Sequence, residues 1–369
     1  MTDTKSILAL NCGSSSLKFG LYAAGEGGPK LICEGEAEQV GSDNSSFWFK
    51  RDGSADKEEQ KTKFPTHAEA LEHALKTLQE SGAPTPDAVG HRVVHGGPKI
   101  REHQKLTSEV LQQLESAADY APLHVPSALN VIKAMREQMP EVAQVICLDT
   151  AFHRTMPDVS RRFALPSDVV KLGVERYGFH GLSLESILPQ LDAVPERMVV
   201  GHLGSGVSVT AIRNGQSIDT TMGLTPTGGV MMGTRCGDLD PGVLFFLMRN
   251  GYGSVEKLEA LCDHHSGLLG VSGRSNDSRE LVSERSTNHD ADLALRMFAY
   301  QVRKAIASMT AALGGLDLLV FTGGIGEHAD EIRKEITNGL SFLGKFETKV
   351  LPAREDLQIA RITAELTRA

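Results

Sequence analysis

Three glycine-rich turns, each preceded by a run of apolar, strand-forming residues, are spread along the 369-residue chain, at 11–16, 202–206 and 322–327. The first two run on into a second apolar segment, which predicts a strand, a tight turn and a partner strand. Glycine lets the backbone approach a ligand closely, and consecutive N–H groups in such turns bind anions. Two strand-turn-strand copies therefore predict a phosphate clamp in each of two domains, the organisation of an ATP-using protein.

Two arginines beside glycines suit phosphoryl chemistry. Arg92 lies in a strand-like segment that ends on two glycines, and Arg235 lies between Gly233 and Gly237. A guanidinium binds two phosphate oxygens at once, and two such groups can neutralise a transferring phosphoryl group. A surface ion pair is the alternative reading of either arginine, but it is less favoured for two glycine-flanked arginines in an acidic chain.

Asp149 follows an apolar strand, at the edge where open α/β sheets bind ligands. A carboxylate there can hold Mg²⁺ or orient a nucleophile, and a helix N-cap is the alternative. His180 is a lone histidine, a residue that usually has a structural role, and its flanking glycines strengthen the case for a ligand contact modestly. His91 and His95 have the i,i+4 spacing of a zinc site on a helix. Because their segment is β-branched, we reject that metal site.

The composition excludes several classes of function. Thirty-eight basic and 47 acidic residues give a net charge of −9, which argues against nucleic acid or an anionic membrane as a partner. The five scattered cysteines form no CxxC pair, so we expect reduced thiols and a cytoplasmic location. No Walker loop, no GxGxxG turn opening a helix and no GxSxG elbow is present in the sequence, which argues against those nucleotide and hydrolase sites.

Periodicity predicts the elements that must position these residues. Apolar residues at helical spacing predict helices over Ala68–Gln79 and Ala291–Leu313. A helix is also expected near Ser183–Leu191, and a long glycine-rich loop over Met222–Asp240. We expect a first domain over 1–150 plus a returning C-terminal helix over 354–369, and a second domain over 151–353.

A set of motifs in fixed order gives this chain a specific resemblance. It resembles the acetate kinase family, within the superfamily of acetate and sugar kinases, heat-shock chaperones and actin. The resemblance implies an α/β fold of two ribonuclease-H-like domains of the actin-type ATPase superfamily, with the active site in the cleft between them. The matching segments are Asn11–Lys18, Gly90–Gly97, Ala121–His124, Asp149–His153, Arg176–Gly181, His202–Gly204, Met222–Pro226, Met232–Pro241, Leu268–Gly273, Phe321–Glu327 and Ile359–Arg361.

The resemblance implies reversible, in-line phosphoryl transfer from ATP to acetate, with Mg²⁺ (or Mn²⁺) as cofactor, acetyl phosphate and ADP as products, and a homodimer. The implied catalytic residues are Asn11, Arg92, Asp149, His180 and Arg235, and the implied metal residues are Asn11, Asp149 and Glu355. The implied substrate residues are Arg92, Val94, Leu123, His124, Phe179 and Pro226. The implied nucleotide residues are Ser14, Ser16, Lys18, His202, Gly204, Ser205, Gly206, Asp277, Ser278, Arg279, Gly324, Ile325 and His328.

The chain departs from the family pattern mainly on the nucleotide side. Ser205 and His328 stand where asparagine is usual, and Leu182-Ser183-Leu184 replaces Thr-Ser-His. These changes bear on nucleotide affinity more than on phosphoryl chemistry.

A propionate kinase and a degenerate, binding-only homologue are the alternatives, and a chaperone-like or filament-forming ATPase is a third. Product formation with acetate separates the kinases from the others.

Overall fold

The computed structural model describes residues 5–54, 56–121 and 124–368. The described residues group into two compact units. Unit 1 comprises 1–151, 181–186 and 354–369, and unit 2 comprises 152–180 and 187–353. Residues 181–186 thus pack with unit 1, although they lie within the sequence span of unit 2.

Unit 1 contains an eight-stranded mixed sheet in the order β5-β4-β3-β2-β1-β6-β8-β7. Strand β2 pairs antiparallel with both β1 and β3, whereas β6 and β8 run parallel to β1. The strands are β1 Lys5–Cys12, β2 Ser16–Gly25, β3 Gly28–Glu38, β4 Ser46–Arg51, β5 Glu58–Lys61, β6 Ala88–Val93, β7 Gln104–Lys105 and β8 Ala143–Leu148. Its first helices are α1 His67–Glu80, α2 Ser108–Glu115 and α3 Val125–Gln138.

Unit 2 contains a five-stranded sheet in the order β11-β10-β9-β12-β13. Strands β9, β10 and β11 are antiparallel, and β12 and β13 run parallel to β9. The strands are β9 Arg197–Leu203, β10 Val207–Arg213, β11 Gln216–Thr220, β12 Leu318–Thr322 and β13 Glu347–Val350. The same pattern of three antiparallel and two parallel strands therefore occurs in both units.

The remaining helices follow in chain order. The longest expected helix, Ala291–Leu313, is confirmed as α11, which begins after the Asn288 cap and ends before Gly314. The third glycine turn, at 322–327, itself begins a helix, α12. The remaining helices are α4 Asp158–Arg161, α5 Ser167–Val170, α6 Gly181–Ile187, α7 Pro241–Arg249, α8 Val255–His264, α9 Gly267–Ser272, α10 Ser278–Glu284, α11 His289–Leu313, α12 Gly323–His328, α13 Asp330–Asn338 and α14 Glu355–Thr367.

Alternation along β1 builds the core of unit 1 on both faces of its sheet. Leu8 and Leu10 pack in the cluster that includes Leu71 of α1, while Ile7 and Ala9 pack in the cluster that includes Ile359 of α14. This is the period-2 pattern of a strand buried on both sides. Within the described residues, no helix has the length and apolar character needed to cross a bilayer.

A glycine in β6 lets α14 lie close to the sheet. A Cβ atom at Gly90 would come within 2.1 Å of Oγ1 of Thr363 and 2.6 Å of Cγ2 of Ile359, so a larger residue would push α14 away. Since α14 begins at Glu355 and β6 carries Arg92, this close approach brings the helix start toward the arginine.

Candidate active site

A cluster of charged side chains lies where the parallel strands of unit 1 end. We call it the carboxylate cluster: Asn11, Arg92, Asp149, Glu355 and Asp356. Asn11 and Arg92 are next to last in β1 and β6, and Asp149 directly follows β8. The two remaining acids open α14. Adjacent parallel strands end at the same edge, and this brings together residues up to 345 positions apart in sequence.

Arg92 is the centre of the carboxylate cluster. Its Nη2 lies 2.6 Å from Oδ2 of Asp149, and its Nε donates to both Asp149 oxygens at 3.2 and 3.1 Å. Its Nη1 donates to Oδ1 of Asn11 at 2.9 Å and lies 3.8 Å from Oε2 of Glu355. One guanidinium thus spans two carboxylates and one amide, the fork geometry that also suits phosphate oxygens.

Asn11 links Arg92 to the start of α14. Its Nδ2 donates to Oδ1 of Asp356 at 2.8 Å and to Oε2 of Glu355 at 3.3 Å. The Asn11 amide is therefore held through both of its ends, which suits an orienting residue. Sequence reasoning missed Asp356, although its place beside Glu355 in the first turn of a helix was a usable signal, because acids are favoured there.

Electrostatics in the carboxylate cluster favour a bound cation. Burial raises the pKa of Asp149, and the ion pair with Arg92 opposes that rise without cancelling it. Burial also raises the pKa of Asp356, with the hydrogen bond from Asn11 opposing it and the nearby Glu355 adding to it. Burial lowers the pKa of Arg92, but the fields of Asp149 and Glu355 outweigh it and the net pKa is raised. Three acids thus lie around the Arg92 guanidinium, with Lys18 as a further positive charge that acts on Asp356, and a bound cation would offset the raised pKa values of the buried carboxyls.

The donor set fits a hard divalent cation such as Mg²⁺. Among the described residues, no group of three or more His, Cys, Asp or Glu side chains is arranged to hold a metal by itself. Mg²⁺ usually keeps several waters and takes one or two carboxylates together with substrate phosphates. Asp149 and Glu355 supply that number of carboxylates.

A second cluster lies at the glycine turn of unit 2. We call it the histidine cluster: His180, His202, Gly206, Ser208 and Arg235. The rings of His180 and His202 stack with centroids 4.0 Å apart, and Nδ1 of His180 lies 3.0 Å from Oγ of Ser208. A Cβ atom at Gly206 would lie 3.1 Å from Nε2 of His180 and 3.4 Å from Nη1 of Arg235. The glycine therefore leaves the two side chains room to approach the turn.

Two backbone features support the histidine cluster. His180 has φ of 61°, a left-handed conformation that is uncommon outside glycine and asparagine and is found at functional sites. Nη1 of Arg235 donates to the carbonyl of Pro226 at 3.2 Å, so the arginine is held against the loop that carries this residue. Ser208 was missed from sequence because a serine inside an apolar strand gives no distinctive signal.

The expected nucleotide residues of unit 2 lie at three places. Gly204, Ser205 and Gly206 form the β9–β10 turn, where Gly204 N–H donates to the carbonyl of Gly206 at 3.0 Å. Gly324, Ile325 and His328 lie in α12, and a Cβ atom at Gly204 would be 3.9 Å from the Gly324 nitrogen. The turn and this helix are therefore neighbours.

The third place is the start of α10. Asp277 caps this helix, and Nη2 of Arg279 lies 2.6 Å from its Oδ2. Ser278 is buried, whereas the Arg279 side chain is 86% exposed. The peptide of Gly233 connects this region to the glycine turn, because its N–H donates to the carbonyl of Ser205 at 3.4 Å and a Cβ atom on it would lie 3.4 Å from the carbonyl oxygen of Asn276.

The remaining expected residues are divided between the units. In unit 1, Ser14 and Ser16 lie in the β1–β2 turn, and Lys18 lies 3.9 Å from Glu36. Val94 is buried directly after β6, and His124 directly precedes α3. In unit 2, Phe179 is buried and its carbonyl lies 2.9 Å from Nε2 of His153. Leu123 lies outside the described residues.

A duplicated α/β sheet with anion-binding turns and an arginine–carboxylate cluster defines a phosphotransferase scaffold. The family model described as the acetokinase family matches residues 6–359, so the chain belongs to the acetokinase family. The expected family is thereby confirmed, and the two mixed sheets with their helices confirm the expected α/β class. An acetate kinase of Halothermothrix orenii is 38% identical, with 98% of this chain and 100% of the relative covered.

Two solved structures share the fold over almost their whole length. The crystal structure of Porphyromonas gingivalis acetate kinase superposes with a TM-score of 0.88 at 35% identity and covers 99% of this chain and 100% of that chain. A propionate kinase from Francisella tularensis superposes with a TM-score of 0.92 at 34% identity and covers 98% and 100%. The global fold therefore does not discriminate between acetate and propionate.

Proposed function

We propose that this chain catalyses reversible phosphoryl transfer from ATP to the carboxylate of acetate, giving acetyl phosphate and ADP. The observation that carries the proposal is the Arg92 guanidinium, which spans Asn11, Asp149 and Glu355 in a chain of the acetokinase family. Guanidinium and carboxylate groups held in this way suit the binding of a phosphoryl group and its metal ion.

The carboxylate cluster serves the transferring group. Arg92 binds phosphoryl oxygens and neutralises charge that develops on them, and Asn11 keeps its guanidinium oriented toward α14. Asp149 and Glu355 would hold Mg²⁺. When bound, the ion supplies charge neutralisation on the phosphate oxygens and fixes their orientation.

The histidine cluster is assigned to the phosphates of the nucleotide. His180 donates to a phosphoryl oxygen, and Arg235 supplies a guanidinium. The glycine turn with His202, Gly204, Ser205 and Gly206, together with Gly324, Ile325 and His328 of α12, binds phosphates through backbone N–H groups. Asp277, Ser278 and Arg279 lie on the adenine side. In unit 1, Ser14, Ser16 and Lys18 line a second phosphate turn.

A hydroxamate assay for acyl phosphate tests the reaction. The purified chain is incubated with ATP, Mg²⁺ and acetate, propionate or butyrate in parallel. We expect hydroxamate with acetate in excess over the longer acids. A preference for propionate would identify the alternative kinase. Nucleotide binding without product from any acid would identify a binding-only homologue and overturn the proposal.

A valine sets the acyl length in this proposal. Val94, with Leu123, His124, Phe179 and Pro226, is assigned to the acetate site, and valine leaves less room than alanine would. Val94→Ala should shift the acetate-to-propionate ratio of kcat/KM toward propionate by roughly tenfold, since one methylene is worth ~1–3 kcal/mol in such pockets. Val93→Ala, which trims a neighbouring core side chain, is the control and should leave the ratio unchanged. An unaltered ratio in Val94→Ala would refute the assignment.

We also propose that the chain acts as a homodimer. Large apolar side chains are exposed on and beside α7, including Phe245 at 57% and Phe246 at 60%, and exposed apolar patches favour association. Light scattering after size exclusion should give twice the chain mass, and Phe246→Glu should give monomer. The same change at the exposed Phe342 is the control. A cytoplasmic location stays a prediction from the cysteine pattern.

A further inference from the structure

His103 is a largely buried histidine of unit 1 whose two ring nitrogens both have partners. Nδ1 accepts a hydrogen bond from the Leu148 N–H at 3.0 Å, and Nε2 lies 3.1 and 3.2 Å from the two carboxylate oxygens of Glu185. Because Nδ1 accepts from a backbone amide, the ring proton resides on Nε2 and is donated to Glu185. The contacts therefore select one tautomer and one ring orientation.

The backbone that His103 holds leads directly into the carboxylate cluster. Leu148 is the last residue of β8 and Asp149 is the next residue in the chain. The ring of His103 takes the N–H of Leu148 where the short edge strand β7 no longer reaches, since β7 pairs with Val145 and Ile146. The position of the Asp149 backbone thus depends on a side chain 45 residues away from its neighbour Leu148.

Glu185 extends the connection to the other acids of the carboxylate cluster. Its Oε2 also accepts from Nε2 of Gln358 at 3.3 Å, and Gln358 lies in the first turn of α14, three residues after Glu355. Within unit 1, α6 is held at both ends: Gly181 N–H donates to the Asp149 carbonyl at 2.8 Å, and Ser186 Oγ accepts from Arg354 N–H at 3.0 Å. Glu185 lies between these attachments.

The network joins the two elements that present Asp149 and Glu355. Both acids approach the same guanidinium, at 2.6 and 3.8 Å, and like charges at such range repel one another. A metal ion and a transferring phosphoryl group tolerate little displacement of their ligands. The separation between β8 and α14 must therefore be fixed. The hydrogen bonds of His103, Glu185 and Gln358 link these two elements.

We propose that His103 and Glu185 are positioning residues for phosphoryl transfer, which hold Asp149 and Glu355 at the separation the metal and phosphate require. The proposal rests on the proposed function for what is positioned. In this role the two side chains act through Asp149 and Glu355 rather than by contact with substrate or metal. Outer-shell partners of this kind typically affect metal affinity or activity by about 10- to 100-fold.

Substitutions at His103 separate the two hydrogen bonds. His103→Ala removes both. His103→Asn keeps an acceptor toward the Leu148 N–H but does not reach Glu185, while His103→Gln keeps a donor toward Glu185. We expect His103→Ala to lower kcat by about 10- to 100-fold and to raise the Mg²⁺ concentration for half-maximal rate, with KM for ATP within about twofold of the wild type. Asn and Gln should each restore part of kcat.

Glu185→Ala should resemble His103→Ala, and the double variant should lose little more than either single variant, because both remove one network. The control is His73→Asn. His73 packs against Phe47 at a ring distance of 4.6 Å in the core of unit 1. The His73→Asn substitution should lower the melting temperature without changing kcat at 25 °C. A kcat within twofold of the wild type for His103→Ala, or a loss no greater than that of an equally destabilised His73→Asn, would overturn the proposal.

A binding measurement separates this proposal from the proposed function. Mn²⁺ affinity in the presence of ADP is followed by electron paramagnetic resonance for the wild type and His103→Ala. Binding weakened by about tenfold or more supports positioning even if the wild type makes no acyl phosphate, an outcome that would overturn only the proposed function. Unchanged Mn²⁺ affinity together with unchanged kcat overturns the positioning role.

Discussion

Units 1 and 2 share one strand order but present different chemistry at the strand ends. In each, three antiparallel strands are followed by two that run parallel to the first. The registers align them position by position: His91 pairs with Leu10 two residues before β1 ends, and Phe321 pairs with Gly201 two residues before β9 ends. Corresponding residues of the two units can therefore be compared directly.

The two units differ in the charge of the residues at corresponding strand ends. Asn11 corresponds to His202, Arg92 to Thr322 and Asp149 to Ala353, by the registers of the parallel strands. Unit 1 thus carries an arginine and an acid where unit 2 carries a hydroxyl and a methyl group. The same backbone frame supports an arginine and an acid at these positions in unit 1 and small, uncharged residues beside glycine-rich turns in unit 2.

Unit 2 uses its nearby acid to hold backbone. Oε1 of Glu327 accepts from the N–H groups of Gly323 and Ala353, each at 3.0 Å. The Glu327 carboxylate therefore accepts hydrogen bonds from backbone N–H groups that follow β12 and β13. In unit 1, Arg92 and Asp149 lie at the ends of the corresponding strands. In the proposed function, charged side chains of unit 1 act on the transferring group, and backbone N–H groups of the glycine-rich turns in unit 2 bind phosphates beside the side chains of His180 and Arg235.

The largest expected effect distinguishes the two arginines. Arg92→Ala should lower kcat by about 1,000-fold or more, since an arginine that stabilises transferring phosphoryl charge is worth that much. It should also lower the free energy of unfolding by about 3–5 kcal/mol, because Asp149 is left buried without its ion-pair partner. Steady-state kinetics and urea unfolding measure the two quantities.

Arg235→Ala is the matched variant in unit 2. Its kcat should fall by a similar factor, but its free energy of unfolding should stay within about 1 kcal/mol of the wild type. The substitution removes, among other contacts, a hydrogen bond to the Pro226 carbonyl. That carbonyl is a neutral acceptor, and leaving such a group unpaired costs less than leaving a buried charge. Equal stability losses in both variants would contradict the contrast between the units, and near-normal kcat in Arg92→Ala would remove its catalytic role.

The next largest effect concerns His91, a buried histidine of unit 1. The corresponding residue of unit 2 is Phe321. His91 is 2% exposed, and burial lowers its pKa from 6.5 to about 4, with the hydrogen bond to Gln144 opposing the shift. Because the unfolded chain takes up the proton first, stability that is present above pH 6.5 is lost as the pH falls toward 4. The loss should reach roughly 3 kcal/mol.

His91→Gln can keep a donor toward Gln144 without titrating in this range. Urea unfolding at pH 7, 6, 5 and 4 should show a shallower decline for His91→Gln than for the wild type. Parallel curves for the two proteins would mean that His91 does not carry this pH dependence.

The smallest effect is expected at two adjacent glycines of unit 2, Gly323 and Gly324. A Cβ atom at Gly324 would meet nothing within 4 Å, so Gly324→Ala should fold normally while blocking close approach of a phosphate. We expect KM for ATP to rise about tenfold, equivalent to about 1.4 kcal/mol, with no loss of melting temperature.

Gly323→Ala is the control for this pair. Gly323 has φ of +78°, and a Cβ atom there would lie 2.9 Å from the Leu203 carbonyl oxygen. It should therefore lose stability through backbone strain. If KM for ATP is unchanged in Gly324→Ala, the α12 start does not bind nucleotide phosphates.

Much of the candidate site was readable from residue type and local order. The glycine turns, the strand before Asp149 and the long helix α11 follow from local propensity, which depends on neighbours in sequence. The motif set also indicated the family, which the comparisons confirm. The roles of individual residues remain predictions, and those of Asp356 and Ser208 were not anticipated.

The sequence by itself determined where strands form and which polar residues stand at their ends. The tertiary structure decided their partners. Arg92 meets Asp149 and Glu355 because parallel pairing aligns β6 with β8 and because Gly90 lets α14 approach. The bonds of His103 to Leu148 and Glu185 likewise join segments 45 and 82 residues apart. Such contacts depend on strand register and helix packing, which no local pattern in the chain specifies.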